Sequence, residues 1–148
     1  MTARHMTGKR VIVAVDGSEP SLRALDAGVE LARALDGPLE LISVLDVASH
    51  DALRTLTMSE HDFEKLEHWI RDEVLDVANR RVPADGPRVS LRILRGHAVS
   101  VLLAEAERGD VALLCVGRTG KGSLQKVLEG SVSRRLSKLS PVPVVIVG

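Results

Sequence analysis

Val11-Ile12-Val13-Ala14-Val15-Asp16-Gly17-Ser18 decides how the rest of the chain reads. Its first five residues are apolar, mostly β-branched and without polar alternation. Such a run reads as a strand covered on both faces, as in a parallel sheet. Asp16-Gly17-Ser18 closes it with turn-forming residues, and Pro20 follows where an early helical turn tolerates proline. Leu22, Leu25, Val29, Ala32 and Leu35 then recur at helical spacing. Gly37-Pro38 stops that helix. A buried strand, a tight turn and an amphipathic helix are the first half of a βαβ unit.

The same alternation continues outward. Leu39–Val47 reads as a second strand, and a longer, partly irregular stretch runs to about Ser59. Ser59 and Asp62 form a capping pair for the next helix, whose buried face is marked by Phe63, Leu66, Ile70, Val74 and Val77. Pro83–Pro87 ends it. Val89, Leu91 and Ile93 alternate with Ser90, Arg92 and Leu94, the pattern of a third strand nearer an edge. Gly96 turns the chain into a shorter helix with Val99, Leu102, Leu103 and Ala106 as its apolar set. Gly109-Asp110 leads to a fourth strand at Val111–Val116, a glycine-rich loop follows, a helix is predicted over Ser131–Leu139, and Val142–Val147 is a fifth strand. Strands alternating with helices imply right-handed crossovers and a parallel sheet. The expected fold is a single doubly wound α/β domain over residues 9–148, with a five-stranded parallel sheet and about four helices. Residues 1–8 are expected to be a flexible tail.

Composition narrows the function. Twenty basic residues balance twenty acidic ones, so no net charge draws the chain to nucleic acid or an anionic membrane. Phe63 and Trp69 are the only Phe, Trp or Tyr residues, which argues against an aromatic platform for single strands. Cys115 is the only cysteine and lies in an apolar run, as a buried inert thiol would. No apolar run approaches the roughly 18 residues of a membrane span, so no membrane insertion is expected. No signal-peptide segment follows Arg4, Lys9 and Arg10, and a cytoplasmic location is expected. His61 and His68, roughly two helical turns apart, do not make a usual metal pair, and no metal held by protein side chains is expected.

In a doubly wound sheet, ligands bind beyond the strand C-termini where strand order reverses. The residues to inspect therefore follow Val15, Val44, Leu94 and Val116. After Val116 stands Gly117-Arg118-Thr119-Gly120, and further on Gly130-Ser131, a G-x2-G-x9-G-S spacing. Glycines let backbone N–H groups approach phosphate oxygens, and the helix opened by Gly130-Ser131 favours an anion at its N-terminus. The same glycines also suit turns and helix caps. Position 123 is Ser rather than Lys, which excludes a Walker motif begun at Gly117, and no dinucleotide fingerprint follows the first strand. Asp16, just past a central strand, has two readings that are compatible: acceptor for ribose hydroxyls, or Asx-turn acceptor for N–H groups near Ser18. Arg118 and Lys121 are candidate phosphate contacts, and a solvated basic face is the other reading.

Over about residues 9–147 the chain resembles the universal stress protein family, and its glycine pattern resembles that of the family's ATP-binding branch. The first strand with its Asp-bearing turn, Ser43-Val44-Leu45-Asp46, the glycine pattern and Pro141–Val147 carry the resemblance, in that order. It implies that Ala14 and Asp16 lie beside ribose and adenine, that Val44 meets adenine through its backbone, and that Gly117 borders the ribose. It implies that Gly120, Gly130, Ser131 and Val132 hold the phosphates of ATP, with Mg2+ bridging phosphate oxygens. Glu129 departs from the family's usual apolar residue before Gly130. The implied function is an ATP-binding regulatory or stress-response protein, a nucleotide-dependent binding module for a protein partner that the sequence does not identify. The alternatives are a slow ATPase or phosphotransferase, and an ATP-independent dimeric interaction protein. No residue pattern positions a catalytic base, so any turnover is expected to be slow. Val142, Val144, Val145, Ile146 and Val147 form an uncharged, β-prone segment, and pairing of this strand with its twofold mate is expected to make a homodimer, a contact that the resemblance also implies.

Overall fold

The computed structural model of the chain describes residues 6–46, 57–118 and 131–148. Within them, β1 (Arg10–Ala14), β2 (Leu39–Leu45), β3 (Val89–Arg95), β4 (Val111–Gly117) and β5 (Val144–Val147) form one five-stranded sheet in the order β3-β2-β1-β4-β5. Every neighbouring pair is parallel. Helix α1 (Glu19–Leu35) follows β1 and α2 (Glu60–Arg80) lies between β2 and β3; α3 (Ala98–Ala106) links β3 to β4 and α4 (Ser131–Leu139) precedes β5. The expected doubly wound α/β fold is the one observed.

The two faces have separate cores. Leu25, Val29 and Ala32 of α1 pack with Ile70, Val74, Leu75 and Ala78 of α2 against Val11, Val13, Leu39, Leu41 and Cys115. On the other face Val99, Leu102 and Ala106 of α3 and Leu136 of α4 cover Ile12, Ile42, Leu114 and Val116. The three inner strands are thus buried on both sides, which is why they read as continuous apolar runs. Gly28 lets α1 lie against the sheet: a Cβ there would stand 2.4 Å from Val13 Cγ2.

Several boundaries differ from the sequence reading: β1 is Arg10–Ala14 rather than Val11–Val15, and β2 stops at Leu45 rather than Val47. Helix α2 is interrupted: Glu60–Ile70 is α-helical, Arg71–Leu75 is a π-turn, and Asp76–Arg80 resumes the α-helix. The Asp76 N–H reaches back to the Arg71 carbonyl, five residues away. The π-turn adds a residue, so the apolar stripe continues through Leu75 and Ala78, and Val77 is 43% exposed rather than buried. The last strand begins at Val144, because Pro143 has no N–H to give the ladder and contributes only its carbonyl, to the Leu114 N–H. Met6–Gly8, assigned to the tail, form a turn in which the Gly8 N–H bonds the Leu35 carbonyl and Met6 packs on the core.

Ser59 caps α2 as expected, with the reciprocal Asp62 bond of a capping box. The same helix is held to β3 by Arg95, whose guanidinium pairs with Glu60 and Glu67 and lies 5.0 Å from the Phe63 ring centroid. Among the described residues, no helix is long and apolar enough to cross a membrane.

Candidate functional site

The chain runs from β1 outward to β2 and β3, then returns to the other side of β1 for β4 and β5. Strand order therefore reverses between β1 and β4, and the C-terminal ends of these strands flank the crevice where ligands bind in such sheets. Asp16 and Gly117 lie on its two sides. Val44 ends the neighbouring β2 on the same face as Ala14 and Val116.

The β1 end is built from hydroxyl groups. The Val15 N–H completes the β1–β2 ladder on the Ile42 carbonyl at 2.9 Å. Ser43 Oγ of β2, buried, then donates to the Val15 carbonyl at 2.7 Å. From the other side the Asp16 N–H donates to Ser21 Oγ of α1 at 3.4 Å. Asp16 Oδ1 accepts the Ser18 N–H at 2.9 Å, so the Asx-turn reading of Asp16 is realised. Ser18 Oγ in turn caps α1 by accepting the Ser21 N–H at 3.3 Å. Gly17 takes a φ of 86°, in the left-handed region that a side chain disfavours.

On the β4 side, a Cβ at Gly117 would stand 2.8 Å from the Pro20 carbonyl carbon and 2.9 Å from the Ser21 nitrogen. The first turn of α1 thus abuts the end of β4, and only glycine allows it. The Arg118 N–H continues the pairing to β5 through the Val147 carbonyl at 2.8 Å. Its side chain lies beside Gly148, whose carbonyl accepts Arg23 Nε at 2.9 Å. Ser133 Oγ bonds the Arg118 carbonyl at 3.4 Å and ties the first turn of α4 to the β4 end. Ser131 and Val132 open that helix, half-buried and exposed respectively. Gly120, Lys121 and Gly130, three positions of the phosphate reading, lie outside the described residues, as does Glu129.

Two features escaped the sequence reading. Asp46 Oδ2 accepts the Ala98 N–H at 3.3 Å and thereby caps α3 from the end of β2, while His97 at the cap position makes no side-chain cap bond and is exposed. At the opposite, N-terminal end of the strands lies an ion cluster. Arg10 donates to Glu40 at 2.9 Å, Glu105 at 3.2 Å and Asp110 at 3.0 Å. Arg92 reaches Glu40 at 3.0 Å and Glu105 at 2.9 Å. Burial alone would raise the Glu105 pKa, but hydrogen bonds from Arg92 and Arg10 outweigh it and hold the carboxyl below its ordinary range. Cys115 is fully buried, and desolvation pushes its thiol up to about 12, which makes it unreactive. Among the described residues no group of three or more His, Cys, Asp or Glu side chains is arranged to hold a metal ion.

Chemically, the switch point offers a carboxylate fixed by a tight turn, a β4 end kept free of a side chain at Gly117, and the N-terminus of α4. Such a set accepts hydroxyl donors on one side and an anion on the other.

Comparisons with known proteins identify the family and the fold. The model of the universal stress protein family matches residues 8–148. Universal stress protein YxiE of Bacillus subtilis is 30% identical over 147 residues, spanning 93% of this chain and 97% of the relative. Among solved structures, the universal stress protein UspA from Lactobacillus plantarum superposes with a TM-score of 0.73 at 17% identity, covering 96% of this chain and 99% of that one. A universal stress protein solved in complex with cAMP is 26% identical, with a TM-score of 0.63 over 96% of this chain and 98% of its own. A match over nearly the whole length, carried by sequence and fold together, decides the matter: the chain belongs to the universal stress protein family.

Proposed function

We propose that the protein is a nucleotide-dependent regulatory module of the stress response, which binds ATP in the β1–β4 crevice and acts through a protein partner. The observation that carries this reading is the placement of Asp16 at the end of β1, beside Gly117 and the start of α4 at the reversal of strand order. A ribose placed there has a carboxylate for its hydroxyls, and a phosphate chain runs toward the helix N-terminus. Ala14 and Val44 would border the base. Gly120, Gly130, Ser131 and Val132 would hold the phosphates, with Arg118 and Lys121 as the nearby cations. Mg2+ would come with ATP, bridging phosphate oxygens, rather than occupy a site made of protein side chains. The relative solved with cAMP supports an adenine nucleotide as the ligand class. We also propose that the molecule works in the cytoplasm as a homodimer joined through β5.

Isothermal calorimetry with Mg-ATP tests the reading. The wild type should bind one nucleotide per protomer. Gly130→Val, which fills space that phosphate needs, should weaken binding more than tenfold while far-UV circular dichroism stays unchanged. Unchanged affinity in the folded variant would remove the phosphate assignment.

A further inference from the structure

We infer that Ser43 is a positioning residue for the Asp16 carboxylate, acting through a clamp on the peptide that joins Val15 to Asp16. This inference rests on the nucleotide reading above. The Val15 carbonyl and the Asp16 N–H belong to one peptide plane. Ser43 Oγ of β2 donates to the first at 2.7 Å, and the second donates to Ser21 Oγ of α1 at 3.4 Å. Both serines are 3% exposed. Two buried hydroxyls from different elements therefore grip the plane from opposite sides. Ser21 Oγ also donates to the Ser18 carbonyl at 2.9 Å, closing the turn that holds the carboxylate.

The register shows what the hydroxyl replaces. With the Val15 N–H on the Ile42 carbonyl, the next rung of a regular parallel ladder would join the Val15 carbonyl to the Val44 N–H. Ser43 takes that carbonyl instead. Beyond this point β1 stops pairing with β2 in the regular way and turns toward α1, so the direction of the Asp16 Cα–Cβ bond is set by the clamped peptide. Freed of the Ser43 bond, the plane can rotate, and the carboxylate swings with it. A displacement of about 1 Å is enough to lose an oriented contact.

The test is a titration with two probes, Mg-ATP and 2′,3′-dideoxyATP, which lacks both ribose hydroxyls. Ser43→Ala should weaken ATP roughly tenfold, the scale of one charge-assisted hydrogen bond, and change dideoxyATP less than twofold. Asp16→Ala should show the same pattern, and Ser43→Ala combined with Asp16→Ala should bind ATP no more weakly than Asp16→Ala alone. Ser21 grips the same plane from the other side, so Ser21→Ala carries the same expectation if Ser43→Ala does not fold. An equal loss for both probes overturns the inference, because it marks general damage to the crevice. Unchanged ATP binding in the folded variants overturns it too. A wild type that binds ATP and dideoxyATP equally removes the ribose role of Asp16, and the inference with it, while leaving nucleotide binding standing. A wild type that binds neither removes the nucleotide reading itself.

Discussion

A methyl group on Gly117 would meet backbone atoms of Pro20 and Ser21, not the flexible end of a side chain. Neither neighbour can move without shifting the first turn of α1, and with it the Asp16 turn. Gly117→Ala should therefore destabilise the fold by roughly 1–3 kcal/mol, the usual cost of overpacking. Urea unfolding measures this, and a loss below about 0.5 kcal/mol would show that α1 is not held there. The sequence singles out Gly117, but for its spacing to later glycines, and the structure supplies a packing reason that no local spacing carries. Asp16 is the converse case. Its position after a buried run and before Gly-Ser announces an Asx turn, and the Ser18 N–H bond is the one expected. The hydroxyl clamp behind it was not legible, because Ser43 and Ser21 stand on different elements and only tertiary folding brings them to one peptide.

Elements read well wherever periodicity is uninterrupted. The apolar runs and the helical spacing of α1 place the strands and helices because burial on both faces or on one stripe dictates those patterns. Helix α2 breaks the rule, since a π-turn adds a residue that a constant period cannot anticipate. The consequence is measurable: Leu75→Ala should cost about 2–5 kcal/mol, whereas Val77→Ser should change stability by less than about 0.5 kcal/mol. The opposite order would restore an unbroken α-helix. The ion cluster was hidden for a different reason. Glu40 lies in a strand and Glu105 in a helix, and each alone resembles a solvated charge until Arg10 and Arg92 are brought over them. Removing Glu105 as Glu105→Ala takes one carboxylate from two arginines that keep Glu40 and should cost about 1.5–3 kcal/mol at pH 7. Because the folded Glu105 pKa lies below its ordinary 4.5, this stabilisation is complete above that pH and is lost as pH falls through the folded value. The stability gap between wild type and Glu105→Gln should accordingly narrow from pH 7 to pH 3. A gap independent of pH would mean that the carboxylate charge is not what holds α3 to β1 and β3.

At the scale of the whole molecule, the sheet ends in two edge strands, β3 and β5. The β3 edge carries Arg92 and Arg95, charges that discourage further pairing. The β5 edge is Val144–Val147, uncharged, with Ile146 exposed. Pairing of β5 with its twofold mate would satisfy that edge and close the assembly. Val145→Lys should then convert a dimer into a soluble monomer in light scattering at micromolar concentration, and an unchanged dimer would place the contact elsewhere. This edge and the β1–β4 crevice both follow from one topological fact, the return of the chain across β1, which the alternation of elements implies but does not locate. The central claim is that a nucleotide sits at that return. Amide shifts in a 15N-labelled sample titrated with Mg-ATP address it most directly. They should move at Asp16, Gly17, Val44, Gly117, Arg118 and Ser131, around the C-terminal ends of the strands. Shifts centred instead on Arg10, Glu40 and Asp110 at the opposite end, or none at millimolar ATP, would contradict it.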